Sequence, residues 1–179
     1  MTRQPSSVLL SATDALDRDV LAGISTLLHA SFADWTEDDW QHTLGGVHAV
    51  RLLDRTVVAH GALVPRTLVV GDGPVRVGYV EGVAVSAAHR RRGLGGQVMD
   101  AVEAYGAAHY PLCALSSTTT AEQFYLRRGW RAWRGPTFVR TGTGRQRTHA
   151  DDGSVYVRAG VEVDLTAELT CDWRAGDVW

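Results

Sequence analysis

Tyr79-Val80-Glu81-Gly82-Val83-Ala84-Val85, followed after Ser86-Ala87-Ala88 by His89-Arg90-Arg91-Arg92-Gly93-Leu94-Gly95-Gly96, reads as an apolar strand running through a basic, glycine-rich turn into a helix. In the turn, glycines let the backbone approach a ligand, and the amides of a helix start point outward, an arrangement that binds pyrophosphate. The dinucleotide fingerprint is excluded, because Gly93-x-Gly95 needs a third glycine where Val98 stands. Taken alone, the same turn is also a solvated connection before a helix. In the strand, Glu81 interrupts an apolar run, where an unpaired buried carboxylate costs several kcal/mol. It therefore faces a cleft or, as an edge-strand charge, pairs with an Arg. Gly82 beside it is where a bulge is tolerated, exposing backbone N–H groups able to polarise a carbonyl.

Upstream, Ser7 to Ser11 reads as an edge strand, and Leu16, Val20, Ile24, Leu27 and Leu28 recur at helical spacing, with Thr13 or Asp14 placed as the cap. Thr36 to Asp39 opens a short second helix that Gly45-Gly46 breaks. Val47 to Leu53 and Thr56 to Val70 are strands joined at Asp54-Arg55, and Gly71-Asp72-Gly73-Pro74 turns into Val75 to Val85, giving an antiparallel meander. Downstream, an amphipathic helix carries Leu94, Val98, Ala101, Val102 and Tyr105 and stops at Pro111. Leu112 to Leu115 is a strand, and Ser116 or Ser117 caps a helix that bears Phe124 and Tyr125 and ends at Gly129. Strands near Trp130 to Val139 and Val155 to Val163 flank a polar loop, Thr141 to Gly153. No internal repeat or low-complexity tract is present.

The 179 residues, 45% hydrophobic and 21% charged, describe one globular domain over residues 1–179. No run nears the roughly 20 apolar residues of a membrane span, and no signal-peptide pattern opens the chain, so a cytoplasmic protein is expected, with no membrane partner. A net charge of -2 provides no field for nucleic acid, so none is expected as a partner. All 18 basic residues are Arg, which excludes a P-loop lysine and a lysine nucleophile. Cys113 and Cys171 have no metal spacing and read as unpaired thiols. The seven histidines match no ligand motif, pairs such as His42 and His48 included, and read as surface or core residues; no metal is expected.

Arg90, Gly93 and Gly95 stand where the R/Q-x-x-G-x-G/A coenzyme A motif of the GNAT superfamily has them, and the segment resembles it. Three longer stretches, Asp39-Trp40-x-His42-Thr43-Leu44-Gly45-Gly46, Gly78 to Val85, and Cys171-Asp172-Trp173-Arg174-Ala175-Gly176-Asp177-Val178-Trp179, resemble the aminoglycoside 2'-N-acetyltransferases of that superfamily. The resemblance covers nearly the whole chain. It implies an α/β (α+β) GNAT fold: a central mixed, mostly antiparallel sheet of about seven strands flanked by about four helices. It also implies acetyl-CoA as cosubstrate, held by Val83, Ala84, Val85, Arg90, Arg91, Arg92, Gly93, Leu94, Gly95 and Gly96, and a homodimer. Asp34, Asp39, Glu81, Gly82, Ser116, Asp151, Asp177 and Trp179 would contact an aminoglycoside, Trp179 through its terminal carboxylate. Thr141 to Arg147 departs from the Pro-containing form of the family, which leaves Asp151 and Asp152 as alternatives.

On this resemblance Glu81 is the base, acting through water, and Tyr125 the acid that protonates the departing thiolate in a ternary complex; from residues alone, Tyr125 beside Phe124 is equally a core aromatic. Acidic clusters at Asp34 to Asp39, Asp151-Asp152 and Asp172 to Asp177 suit a polycationic amine, although each is also a solvated charge group. The expected function is acetylation of the 2'-amine of aminoglycosides, conferring resistance. The alternatives are a GNAT enzyme for a polyamine, cell-wall amino sugar or protein amino terminus, and a non-catalytic acyl-CoA or drug binder.

Overall fold

Asp54 and Arg55 are both left-handed, with φ of 47° and 66°, and this two-residue turn, which favours asparagine or glycine, is built from neither. It joins strands β2 (Val47–Leu53) and β3 (Thr56–Val70), at the bounds that the turn signals indicated. The computed structural model describes residues 7–179. Among these, a mixed sheet contains β1 (Leu9–Ala12), β4 (Gly73–Val85), β5 (Leu112–Ser116), β6 (Arg131–Ala132), β7 (Thr137–Thr141), β8 (Gly144–Arg147), β9 (Val155–Ala159) and β10 (Leu169–Asp172). Four α-helices accompany it, as expected: α1 (Arg18–Ser31), α2 (Glu37–His42), α3 (Leu94–His109) and α4 (Glu122–Arg127). The chain divides into two compact units, residues 7–64 with 81–105, and residues 65–80 with 106–179.

In the first unit β1 pairs antiparallel with β2, and β2 with β3, with a register shift between Arg51 and Leu52. Its core gathers Leu16, Ile24, Leu27, Leu28, Val50, Val57 and Ala84, with Trp35 and Trp40 packed against it. Helix α1 starts later than its apolar spacing suggested. Thr13 to Ala15 form a 3-10 turn, Asp17 takes the N-cap position, and neither Thr13 nor Asp14 caps the helix. The Thr13 hydroxyl is engaged elsewhere, accepting from the Gly45 amide at 3.0 Å and meeting His48 Nε2 at 2.8 Å. Helix α2 has the expected start: Thr36 and Asp39 form a reciprocal capping box.

In the second unit the strand order is β6-β9-β5-β4-β3-β10-β7-β8. β4 and β5 run parallel over Val77–Tyr79 against Leu112–Ala114, and the ladder ends at Tyr79. Four expectations are corrected here. The segment Trp130 to Val139 is two strands, because β6 pairs with β9 and β7 with β8 and β10. The loop Thr141 to Gly153 contains β8 and a 3-10 turn at His149–Asp151. β10 is added, bringing the strands to ten. The α4 cap is Ala121, while Ser116 belongs to β5 and the Ser117 amide bonds to the Ser154 carbonyl.

The break between β6 and β7 has a packing cause. The amides of Arg134 and Gly135 bond to the Leu165 carbonyl at 2.8 and 2.9 Å, and the Trp133 indole donates to the Ala167 carbonyl at 3.0 Å. A Cβ on Gly135 would collide with the carbonyl oxygens of Ala167 and Thr166. Gly135→Ala is therefore expected to destabilise the protein by about 2–3 kcal/mol, read as a lower urea midpoint; an unchanged midpoint would contradict this packing.

Candidate active site

On β4, Glu81, Gly82 and Val83 are half-buried and Ala84 is buried. Gly82 is left-handed, φ 57°, which favours glycine, and a Cβ there would stand 3.1 Å from Thr43 Cγ2 and 3.2 Å from Leu28 Cδ1, tight enough that these side chains would have to shift. Its carbonyl turns to the imidazole of His60, whose Nδ1 lies 2.7 Å away; His60 Nε2 is 2.9 Å from His48 Nδ1. Both rings are fully buried, and burial holds His48 at about 4 and His60 at about 3, so both are neutral at physiological pH.

The strand closes with the Ser86 amide on the Val58 carbonyl at 2.9 Å, followed by a 3-10 turn at Ala87–His89. Arg90 folds back, its Nε donating to the Val85 carbonyl at 3.3 Å. Arg91 and Gly93 are left-handed, φ 59° and 77°, and deliver the chain into α3 at the buried Leu94. Arg90, Arg91 and Arg92 are exposed, and the first turn of α3 has no acidic residue. A positive helix end with no acidic residue in its first turn, preceded by three consecutive arginines, is suited to a phosphate or pyrophosphate anion. Of the acidic candidates in this unit, Asp34 is exposed. Asp39 is engaged in the capping box, its Oδ2 accepting from the Thr36 amide at 2.8 Å and hydroxyl at 2.7 Å.

In the second unit four expected substrate residues come together around the 3-10 turn at His149–Asp151. Ser116 Oγ donates to Ser154 Oγ at 3.3 Å, and Ser154 Oγ donates to the Asp151 carbonyl at 2.8 Å. The buried Trp179 indole donates to Thr148 Oγ1 at 3.0 Å, just ahead of that turn. Burial raises the Asp151 pKa, as do the negative charges of Asp177 and Asp152, against a hydrogen bond from Thr148. Asp152 is committed to structure: Arg147 grips its carboxylate at 2.7 and 2.6 Å, the Thr137 amide and hydroxyl add bonds at 3.1 and 3.0 Å, and its pKa is lowered to about 2.

Two arginines hold the segment that ends in Asp177-Val178-Trp179: Arg66, which no motif marks, and Arg174, to which the motif around it gives no role of its own. Arg66 donates to the Val178 carbonyl at 2.7 Å and Arg174 Nε to the Asp177 carbonyl at 2.8 Å. Both guanidinium groups lie over the Tyr79 ring, 4.5 and 5.7 Å from its centroid. Tyr125 on α4 is buried, with Phe124 and Trp130 edge-on at 5.2 and 6.1 Å. Cys113 and Cys171 are buried thiols in no disulfide, and burial pushes the Cys171 thiol up to about 11, which removes it as a nucleophile. Among the described residues, no group of three His, Cys, Asp or Glu is placed to hold a metal ion, and no helix is long and apolar enough to cross a membrane.

The strand, basic turn and helix start agree with a match of the acetyltransferase (GNAT) family pattern to residues 14–130. This chain belongs to the GNAT acetyltransferase family. Over 173 residues it is 44% identical to an aminoglycoside 2'-N-acetyltransferase of Mycolicibacterium fortuitum, covering 93% of this chain and 89% of that protein. Its fold is similar to that of a GNAT acetyltransferase from Brucella melitensis solved with acetyl-CoA (TM-score 0.62, 15% identity, 95% of this chain and 97% of that one). It is also similar to an Escherichia coli GNAT N-acetyltransferase solved with CoA (TM-score 0.60, 18% identity, 96% of this chain and 93% of that one).

Proposed function

We propose that this chain transfers the acetyl group of acetyl-CoA to the 2'-amine of aminoglycosides, and so confers resistance to them, as a homodimer in the cytoplasm. The observation that carries this reading is the 44% identity, over 93% of the chain, to an enzyme of that activity. The start of α3, with Arg90 to Arg92 and no acidic side chain in its first turn, suits the pyrophosphate of acetyl-CoA. Val83, Ala84 and Val85 would hold the rest of the donor, and Leu94, Gly95 and Gly96 supply helix-start amides beyond Gly93.

Acceptor recognition draws on carboxylates. Asp151, together with Asp177, is the better ligand than Asp152, whose charge Arg147 already neutralises. Asp34, Asp39, Glu81, Gly82, Ser116 and Trp179 complete the set. Glu81 removes a proton from the amine through water, the Val83 N–H stabilises the oxyanion, and Tyr125 protonates the leaving thiolate. Attack is direct: the amine nitrogen bonds to the acetyl carbon as the carbon–sulfur bond breaks.

Regiochemistry gives the test. With pairs of aminoglycosides differing only in a 2'-amine or a 2'-hydroxyl, acetyl-CoA-dependent thiol release is expected with the amine alone. Equal acetylation of both members would refute the 2' assignment, and acetylation of polyamines but of no aminoglycoside would move the reading to a cellular amine.

A further inference from the structure

The two buried histidines lie outside the chemistry above, yet their hydrogen bonds run in one direction only. The Gly82 carbonyl is an obligate acceptor, so at 2.7 Å His60 Nδ1 must carry a proton. A neutral ring protonated at Nδ1 leaves Nε2 as an acceptor, so the partner at 2.9 Å, His48 Nδ1, must donate. His48 is neutral too, so its Nε2 accepts from the Thr13 hydroxyl at 2.8 Å, a shorter bond than that hydroxyl's alternative acceptor, the Gly46 carbonyl at 3.3 Å. Thr13 Oγ1 in turn accepts from the Gly45 amide at 3.0 Å. One proton arrangement satisfies every member, from Gly45 through Thr13, His48 and His60 to Gly82, and each bond polarises the next.

The relay ends on a particular peptide group. In a trans peptide the C=O of one residue and the N–H of the next point in opposite directions. The carbonyl that His60 holds is Gly82's, so the N–H aimed away from the histidines is Val83's, at the left-handed bend of β4. We infer that His60, fixed by His48 and Thr13, is a positioning residue that orients and polarises the Gly82–Val83 peptide so that the Val83 N–H is presented as a hydrogen-bond donor to the reacting carbonyl. This rests on the proposed acetyl transfer for its catalytic meaning, while the relay itself stands on geometry. Packing alone does not account for it, because an apolar ring would fill the same space without directing a peptide.

The test has two arms. In the wild-type protein at neutral pH, nitrogen NMR of the imidazoles is expected to show the Nδ1–H tautomer at both His48 and His60; an Nε2–H tautomer at either ring overturns the relay. In the kinetic arm, His60→Leu removes the donor, whereas His60→Asn keeps an N–H near the position of Nδ1. Leu is expected to lower kcat by about 10- to 100-fold with KM for acetyl-CoA within about twofold, and Asn to recover most of the loss. An unchanged kcat in His60→Leu, or an Asn variant no better than Leu, overturns the positioning role. Wild-type protein that acetylates no amine sinks the functional reading instead, and the tautomers still decide the relay.

Discussion

Tyr125→Phe is expected to cut kcat by about 100-fold or more, the usual size of a lost general acid, while leaving the fold and the KM for acetyl-CoA near wild type. The substitution deletes one oxygen. Edge-on contacts with Phe124 and Trp130 belong to the ring and persist, so the change isolates the proton from the packing. Glu81→Gln should show a loss of similar order, with the acceptor's deprotonation rather than the thiolate's protonation impaired. Release of free thiol, followed continuously at saturating acetyl-CoA, reads both variants. Unchanged turnover in Tyr125→Phe would remove the tyrosine from the mechanism. An acetylated cysteine trapped during turnover would replace direct attack by a covalent route, against which stands the buried Cys171 thiol, held up to about 11.

The second large effect concerns stability in acid. His48 and His60 titrate at about 4 and about 3 in the folded protein, against 6.5 for both in the unfolded chain. Above pH 6.5 neither state takes up a proton at these rings and the pair is neutral to stability. As pH falls below 6.5 the unfolded chain binds two protons that the folded core refuses, so stability falls with pH, and the decline continues to about pH 4 for His48 and about pH 3 for His60. The pair is expected to remove about 4 kcal/mol between pH 7 and pH 5. Urea denaturation at the two pH values measures it. Replacing both rings, as His48→Leu with His60→Leu, should flatten the dependence; a wild-type midpoint equal at both values would show that the rings are not held neutral. Asp152, lowered to about 2, loses its contribution only below this window, as its carboxylate protonates.

What the sequence made legible was whatever local chemistry decides. The bounds of β2 and β3 follow from Asp54-Arg55, the start of α2 from Thr36 and Asp39, and the passage from β4 into α3 from Arg90 to Gly96. What stayed hidden depends on partners far along the chain. Thr13 has the composition of a helix cap, but its hydroxyl accepts from the Gly45 amide and meets His48, more than thirty residues away. Trp130 to Val139 has the pattern of one strand but is divided at Gly135 by the carbonyls of residues 165–167. β8 carries no apolar alternation, because Gly144–Arg147 is a polar edge strand, and β10 is too short to stand out. Among the site residues, Asp152 reads like Asp151 until Arg147 is seen on it, and no spacing rule links His48 to His60.

Neither compact unit is continuous in sequence, and this sets an order on synthesis. The first unit is complete once residue 105 has emerged, while the hairpin of residues 65–80, already translated, must wait for 106–179 to supply β5 and β10. Over that interval the ends of β3 and β4, which carry the buried Leu68, Val77 and Tyr79, lack the strands that later flank them. An apolar hairpin with two unsatisfied edges is a template for pairing with another nascent chain. The period between translation of residue 80 and of the last strand is thus when this protein is most exposed to aggregation, and slowing elongation there should lower its soluble yield.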